Sequence, residues 1–169
     1  MNDNPMREVR IDKVTLNIGM GVSGEPLELA GRLLERITGQ KPVKTLAKER
    51  NPTWKIRKGL PIGVKVTLRG DKAREVLMNA FKAVDNRISK KSFDRYGNFS
   101  FGVKEYIDYP GIKYDPEIGI LGFDVCVTLV RPGIRVQRRK RAKSKIGKNH
   151  HVSRDEAIEF VKNLGVEVY

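Results

Sequence analysis

Lys13-Val14-Thr15-Leu16-Asn17 and Lys65-Val66-Thr67-Leu68-Arg69 alternate polar and apolar residues with a period of two. A strand with that period sends successive side chains to opposite faces of its sheet. Val14, Leu16 and Ile18 therefore share a face with Val64, Val66 and Leu68, which predicts contact with a core. Lys13, Thr15 and Asn17 share the other with Lys65, Thr67 and Arg69, a set of cations and neutral hydrogen-bonding groups that contains no carboxylate. Phe123, Val125, Val127 and Leu129 repeat the alternation as a third strand, whose opposite face carries Asp124, Cys126 and Thr128. Solvated faces usually mix both signs of charge, so the cationic face predicted for the first two strands suits a polyanion.

The intervals supply helices. The first strand is expected over Val9 to Ile18, its alternation slipping between Ile11 and Val14 as at a β-bulge, after a polar Met1–Met6 that is expected to fray or be held by a partner. Leu27, Ala30, Leu33, Leu34 and Ile37 keep helical spacing, with Ser23 as the expected cap, Pro26 in the first turn and Gly39 at the end. Gln40 to Gly63, broken by Pro42, Pro52 and Pro61, is expected as a long loop or extended hairpin tip. The second strand is read as Val64 to Leu68. Asp71 is the expected cap of a helix on Ala73, Val76, Leu77, Ala80, Phe81 and Val84. Asn98 to Val103 is a short strand. Ser153 and Glu156 form a capping-box pattern ahead of a helix on Ala157, Ile158, Val161 and Leu164. Half-polar strands alternating irregularly with helices predict an α+β fold, with a largely antiparallel sheet covered by helices on one face and open on the other. Residues 1–130 are read as one domain, and 131–169 as a basic C-terminal extension ending in a short helix, docked on that domain or on RNA.

Charge changes this picture from a generic domain to one with a partner. The 169 residues carry a net charge of +14, which predicts attraction to nucleic acid or to an anionic membrane. The cations cluster. Lys41 to Lys58 holds seven against a single acid, Glu49, and Val125 through Arg154 holds ten and no acid. Like charges at that density repel each other without a counter-charge, which favours phosphate contact. Trp54, among the first cluster, could stack on a base or anchor its loop to the core. For Arg131–Lys148 a nuclear-type signal or a simple disordered tail competes with RNA binding, and the capped helix that follows argues for a structured end. No run approaches the ~20 apolar residues of a membrane span, and the helices lack a lysine-lined face opposite bulky aromatics. The lone Cys126 excludes an intrachain disulfide. A soluble cytoplasmic location is expected.

Catalytic signals are weaker. Gly19-x-Gly21-x-x-Gly24 lies between a strand and a helix, as in a dinucleotide-binding fingerprint. That strand exposes Lys13, Thr15 and Asn17, whereas a Rossmann first strand is buried on both faces. The acidic residue expected about 20 positions later is also missing from Gln40-Lys41-Pro42-Val43-Lys44. A dinucleotide-dependent enzyme is thus the alternative reading, and a glycine-rich turn the simpler one. His150-His151 has no acid or cysteine beside it, so a surface or RNA-facing role is expected. Asp108, Asp115 and Glu117 are assigned to turns and caps.

Four blocks in order, Lys13–Gly21, Thr38–Pro42, Lys55–Gly70 and Lys91–Val103, resemble the L5 family of large-subunit ribosomal proteins, and the likeness covers essentially the whole chain. The resemblance implies a non-catalytic scaffold without cofactor or metal that binds 5S rRNA in the central protuberance and helps attach it to large-subunit rRNA. It implies an RNA-binding face in which Asn17, Gln40 and Thr67 hydrogen-bond 5S rRNA, with Lys13, Thr15, Lys65 and Arg69 around them. Lys55, Arg57 and Lys58, in a loop of roughly residues 45–59, match the family's contact with peptidyl-site tRNA. Arg135, Arg138, Arg139, Lys140 and Arg141 belong to an extension similar to that of the archaeal and eukaryotic branch. A neighbouring 5S-binding protein of the L18 family is the implied protein partner.

Overall fold

The computed structural model describes residues 4–169. Met1–Asp3 lie outside the described residues, so the expected fraying is addressed only for Asn4–Met6; there Pro5–Arg7 forms one 3-10 turn capped by the Asn4 side chain. Seven strands follow in chain order: β1 (Arg10–Gly19), β2 (Val43–Leu46), β3 (Pro61–Leu68), β4 (Arg87–Ile88), β5 (Phe99–Val103), β6 (Phe123–Val130) and β7 (Glu167–Val168). The helices are α1 (Glu25–Thr38), α2 (Gly70–Lys82), the single turn α3 (Arg135–Arg138) and α4 (Arg154–Asn163).

Five strands make one sheet in the order β2-β3-β1-β6-β5, with every neighbouring pair antiparallel. The α+β architecture with one open face is the one the alternation predicts. Val14, Leu16, Val64, Leu68, Val125 and Val127 are almost fully buried on the covered face. They meet Leu27, Leu33 and Leu34 of α1 and Leu77, Ala80 and Phe81 of α2 in a single apolar core. Phe81 packs on Phe101 at 5.5 Å and on Phe99 at 6.3 Å between ring centroids, joining α2 to the β5 edge. Ala157, Ile158 and Val161 of α4 enter the same core. The parallel pair β4–β7 ties the end of the chain to the segment after α2.

The departures from expectation are local. The cap of α1 is Gly24, at φ 109°, and not Ser23; that backbone shape favours glycine. Gly39 ends α1 in the left-handed conformation, as expected. Asp71 does not cap α2. The helix begins at Gly70 after Arg69 and places Asp71 in its first turn, where a carboxylate favours the positive end of the helix dipole. The Ser153–Glu156 capping box forms with both reciprocal hydrogen bonds. Gln40–Gly63 takes the second of its two expected forms, an extended hairpin, with β2 and the start of β3 paired antiparallel within it. Pro61 is tolerated as the first residue of β3, since a strand end can spare one donor. Gly63 is required by close approach, because a Cβ there would lie 2.8 Å from the Ile18 carbonyl oxygen and 2.7 Å from Thr45 Oγ1.

Candidate nucleic-acid interface

The face not covered by α1 and α2 is a grid whose columns are strands. Asn17 of β1 stands opposite Lys65 of β3 on one side and Asp124 of β6 on the other. Thr15 lies between Thr67 and Cys126, and Cys126 in turn pairs with Ser100 of β5. Lys13 is the partner of Thr128. Lys65, Thr67, Asp124 and Cys126 are exposed, while Lys13, Thr15 and Asn17 are half-buried in the middle of the sheet. Thr15, Asn17, Ser92, Ser100, Asp124 and Cys126 border a concavity of about 710 Å³. The cations Lys13 and Lys65 flank it, so phosphate attraction sits beside the neutral groups. The Cys126 thiol is partly shielded from water although the residue is exposed, and this desolvation, with Asp124 beside it, pushes the thiol up, which keeps that position uncharged.

The structure thus unites five of the seven residues predicted for this face. Arg69 lies one residue beyond β3, and its Nη1 donates to Asp12 Oδ1 at 2.7 Å and to the Asp12 carbonyl at 3.2 Å. Gln40 stands in the turn from α1 to β2, where its N–H donates to Thr38 Oγ1 at 3.2 Å, three residues before Val43, the partner of Lys65. The alternation did place Asp124, Cys126 and Thr128 on one side of their strand, but only the strand order sets that side against Asn17 and Thr15. Ser100 could have been found from the alternation of Phe99, Phe101 and Val103 in the expected strand Asn98–Val103, which puts it on the opposite side; Ser92 stands in no such periodic pattern.

Asp12 is the extra residue of the bulge. The β1–β6 register shifts between Ile11 and Lys13, as the slipped alternation predicts. Its side chain is only 11% exposed and accepts from Arg69 and, at 2.8 Å, from Arg138 of α3. Burial opposes its ionisation, yet the Arg138 and Arg69 guanidiniums outweigh burial and hold the carboxyl below its ordinary 3.8. A carboxyl depressed on folding contributes stability that is full above its unfolded value and lost as pH falls through the folded one. Stability should therefore drop below about pH 4 by about 1 kcal/mol through this group, a small figure because both guanidiniums are half-exposed. Acid titration of wild type against Asp12→Asn by circular dichroism checks it; identical acid limbs would refute the assignment.

The basic segments take defined shapes. At the β2–β3 hairpin tip, Asn51 and Ile56 exchange backbone hydrogen bonds of 2.9 Å each, and Ile56 is buried. Lys55, Arg57 and Lys58 are all exposed. Trp54 is 71% exposed, so Ile56 and not Trp54 anchors this loop. Lys44 lies on the helix side of the sheet, opposite Val64, and pairs with Glu28 of α1, which removes it from the cations available to a ligand. Arg135, Arg138, Arg139, Lys140 and Arg141 are all exposed, and Arg138 gives one of its nitrogens to Asp12. Arg131, 8% exposed, pairs with Glu156 and donates to the Asn149 carbonyl at 3.1 Å. The Gly19–Gly24 turn is no dinucleotide cradle of a βαβ unit, since β3 runs antiparallel to β1.

The open side of this α+β sheet, half covered by helices, carries cations, neutral hydrogen-bonding groups and the carboxylate of Asp124, the surface of a scaffold suited to a polyanion. Residues 4–57 match the family described as "Ribosomal protein L5", and residues 61–160 match the "ribosomal L5P family C-terminus". Proteins called "Large ribosomal subunit protein uL5" are similar along nearly the whole chain. That of Sulfurisphaera tokodaii is 57% identical over 98% of this chain and 94% of its own length. Those of Nanoarchaeum equitans and Pyrobaculum aerophilum are each 54% identical over 98% of this chain, covering 99% and 93% of their own lengths. The chain belongs to the L5 family of ribosomal proteins.

Proposed function

We propose that this protein is a structural component of the large ribosomal subunit in the cytoplasm, where its open sheet face seats 5S rRNA and helps attach it to the large-subunit rRNA. The observation that carries the reading is the cross-strand adjacency of Thr15 with Thr67 and of Asn17 with Lys65 on an uncovered face. Lys13 and Lys65 supply charge to phosphates, which binds any RNA. Selectivity must then come from directional hydrogen bonds by Thr15, Asn17, Thr67 and Gln40 to sugars and unpaired bases, since RNA is read by shape and single-stranded elements. The exposed hairpin tip, with Lys55, Arg57 and Lys58, reaches peptidyl-site tRNA, and a 5S-binding protein of the L18 family is the neighbour. Residues 131–169 act as an extension that brings Arg135, Arg139, Lys140 and Arg141 to rRNA.

The test is a gel-shift titration of 5S rRNA with tRNA as competitor. Asn17→Ala should weaken 5S rRNA binding by roughly 1–3 kcal/mol, the cost of stranding a partner group, with the salt dependence unchanged. Lys13→Ala should instead flatten that dependence by about 0.7–0.9 log unit per tenfold salt for each phosphate it no longer neutralises. Equal losses for 5S rRNA and random RNA in both variants would sink this division of roles.

A further inference from the structure

The segment after β6 also builds a second concave site. It leaves the sheet at Arg131, turns through α3 and returns along residues 148–152, enclosing a cleft of about 410 Å³ against the end of β6. Among the described residues, none that lines it is acidic. Arg138 is held at its edge by Asp12, and Arg131, fixed by Glu156, lies along it. Among the described residues the buried Nε of Arg131 has no hydrogen-bond partner. Thr128 lines the cleft and is the β6 partner of Lys13, so the cleft opens directly off the sheet face.

Three rings line this cleft, Tyr96, His150 and His151, and His150 Nε2 is already engaged with the Pro132 carbonyl at 2.7 Å. Tyr96 is 50% exposed and carries the Arg95 guanidinium at 4.8 Å from its centroid. The His151 ring lies 6.1 Å away at 58°, so the two are not stacked on each other. Asn98 and Gln137, also in the lining, each offer an amide that can donate and accept.

We infer that this cleft receives one unstacked nucleotide of an rRNA strand, its base against Tyr96 and its phosphate toward Arg138. A flat ring beside side-chain amides matches a nucleobase, which has a stacking face and mixed donor and acceptor edges. Arg131 and Arg138 in the lining, with no acid beside them among the described residues, match the phosphate on the same nucleotide. Arg138 keeps free N–H groups for that phosphate, because guanidinium has five donors and Asp12 engages one of its nitrogens. The docked extension thereby prolongs the RNA track beyond the sheet. This inference rests on the RNA-binding reading above.

The full chain is titrated against 5S rRNA and, separately, against large-subunit rRNA, as wild type, Asn17→Ala, Tyr96→Leu and Tyr96→Trp. Tyr96→Leu should weaken binding to at least one of the two RNAs by roughly 5- to 100-fold, the range of one lost base–aromatic stack. Tyr96→Trp should stay within about threefold of wild type, since indole also stacks. The salt slope should not change in either variant, because a stack releases no counterion. If Tyr96→Leu binds both RNAs as wild type does while Asn17→Ala is impaired, the cleft is not a nucleotide site and the sheet face still is. Loss in Tyr96→Leu without rescue by Tyr96→Trp, or with a flatter salt slope, also overturns the stacking role. A wild type that does not prefer 5S rRNA over tRNA brings down the face reading itself.

Discussion

Thr67→Glu is expected to reduce 5S rRNA binding at least a hundredfold, about 3 kcal/mol, while leaving the thermal midpoint close to wild type. Thr67 is exposed and stands opposite Thr15 at the centre of the open face. A carboxylate there removes a donor and sets a negative charge against RNA, and like charges pressed together at an interface cost several kcal/mol. Folding is spared because the new side chain meets water in the free protein, with Lys65 close by on the same strand. Filter binding at fixed salt alongside a thermal melt separates the two effects. Retained binding would mean that RNA lies elsewhere on the molecule.

Phe81→Ala should do the opposite. Phe81 is fully buried and joins α2 to β5 through Phe99 and Phe101. Truncating a core phenylalanine leaves a cavity and costs about 3–5 kcal/mol, a large share of the roughly 5–15 kcal/mol that holds a domain folded. Urea denaturation reads the loss directly. At low temperature, where the variant is still folded, its 5S rRNA affinity should match wild type, because the ring lies beneath the sheet and not on its open side. A stability loss under 1 kcal/mol would show that the α2–β5 contact is not a tight part of the core.

The two variants act independently because the sheet separates their environments, and that separation is legible in the polar–apolar alternation of the chain. Alternation is a property of single strands: once Lys13–Asn17 and Lys65–Arg69 are extended, their polar and apolar sides are fixed by the backbone. The cationic face, the core residues and the Ser153–Glu156 cap follow from such short-range rules. So does the bulge, because an extra residue must interrupt the period where Asp12 stands.

Other features depend on partners distant in sequence. Val43–Leu46 is a strand because β3 offers it an edge; four residues that follow a proline and are flanked by cations carry too little periodicity to announce it. Ser23 and Asp71 have the chemistry of caps, but the paths leaving β1 and β3 put Gly24 and Arg69 at those positions. Arg69 and Arg138 read as free cations until the fold brings both to Asp12. The sequence by itself determined which side chains share a side of each strand, since that needs only the two-residue repeat of an extended chain. Tertiary structure alone decided that β6 lies between β1 and β5, setting Asp124 beside Asn17, and that the tail closes a cleft. Strand order and docking are set by the summed burial of residues far apart in the chain, which no local pattern records.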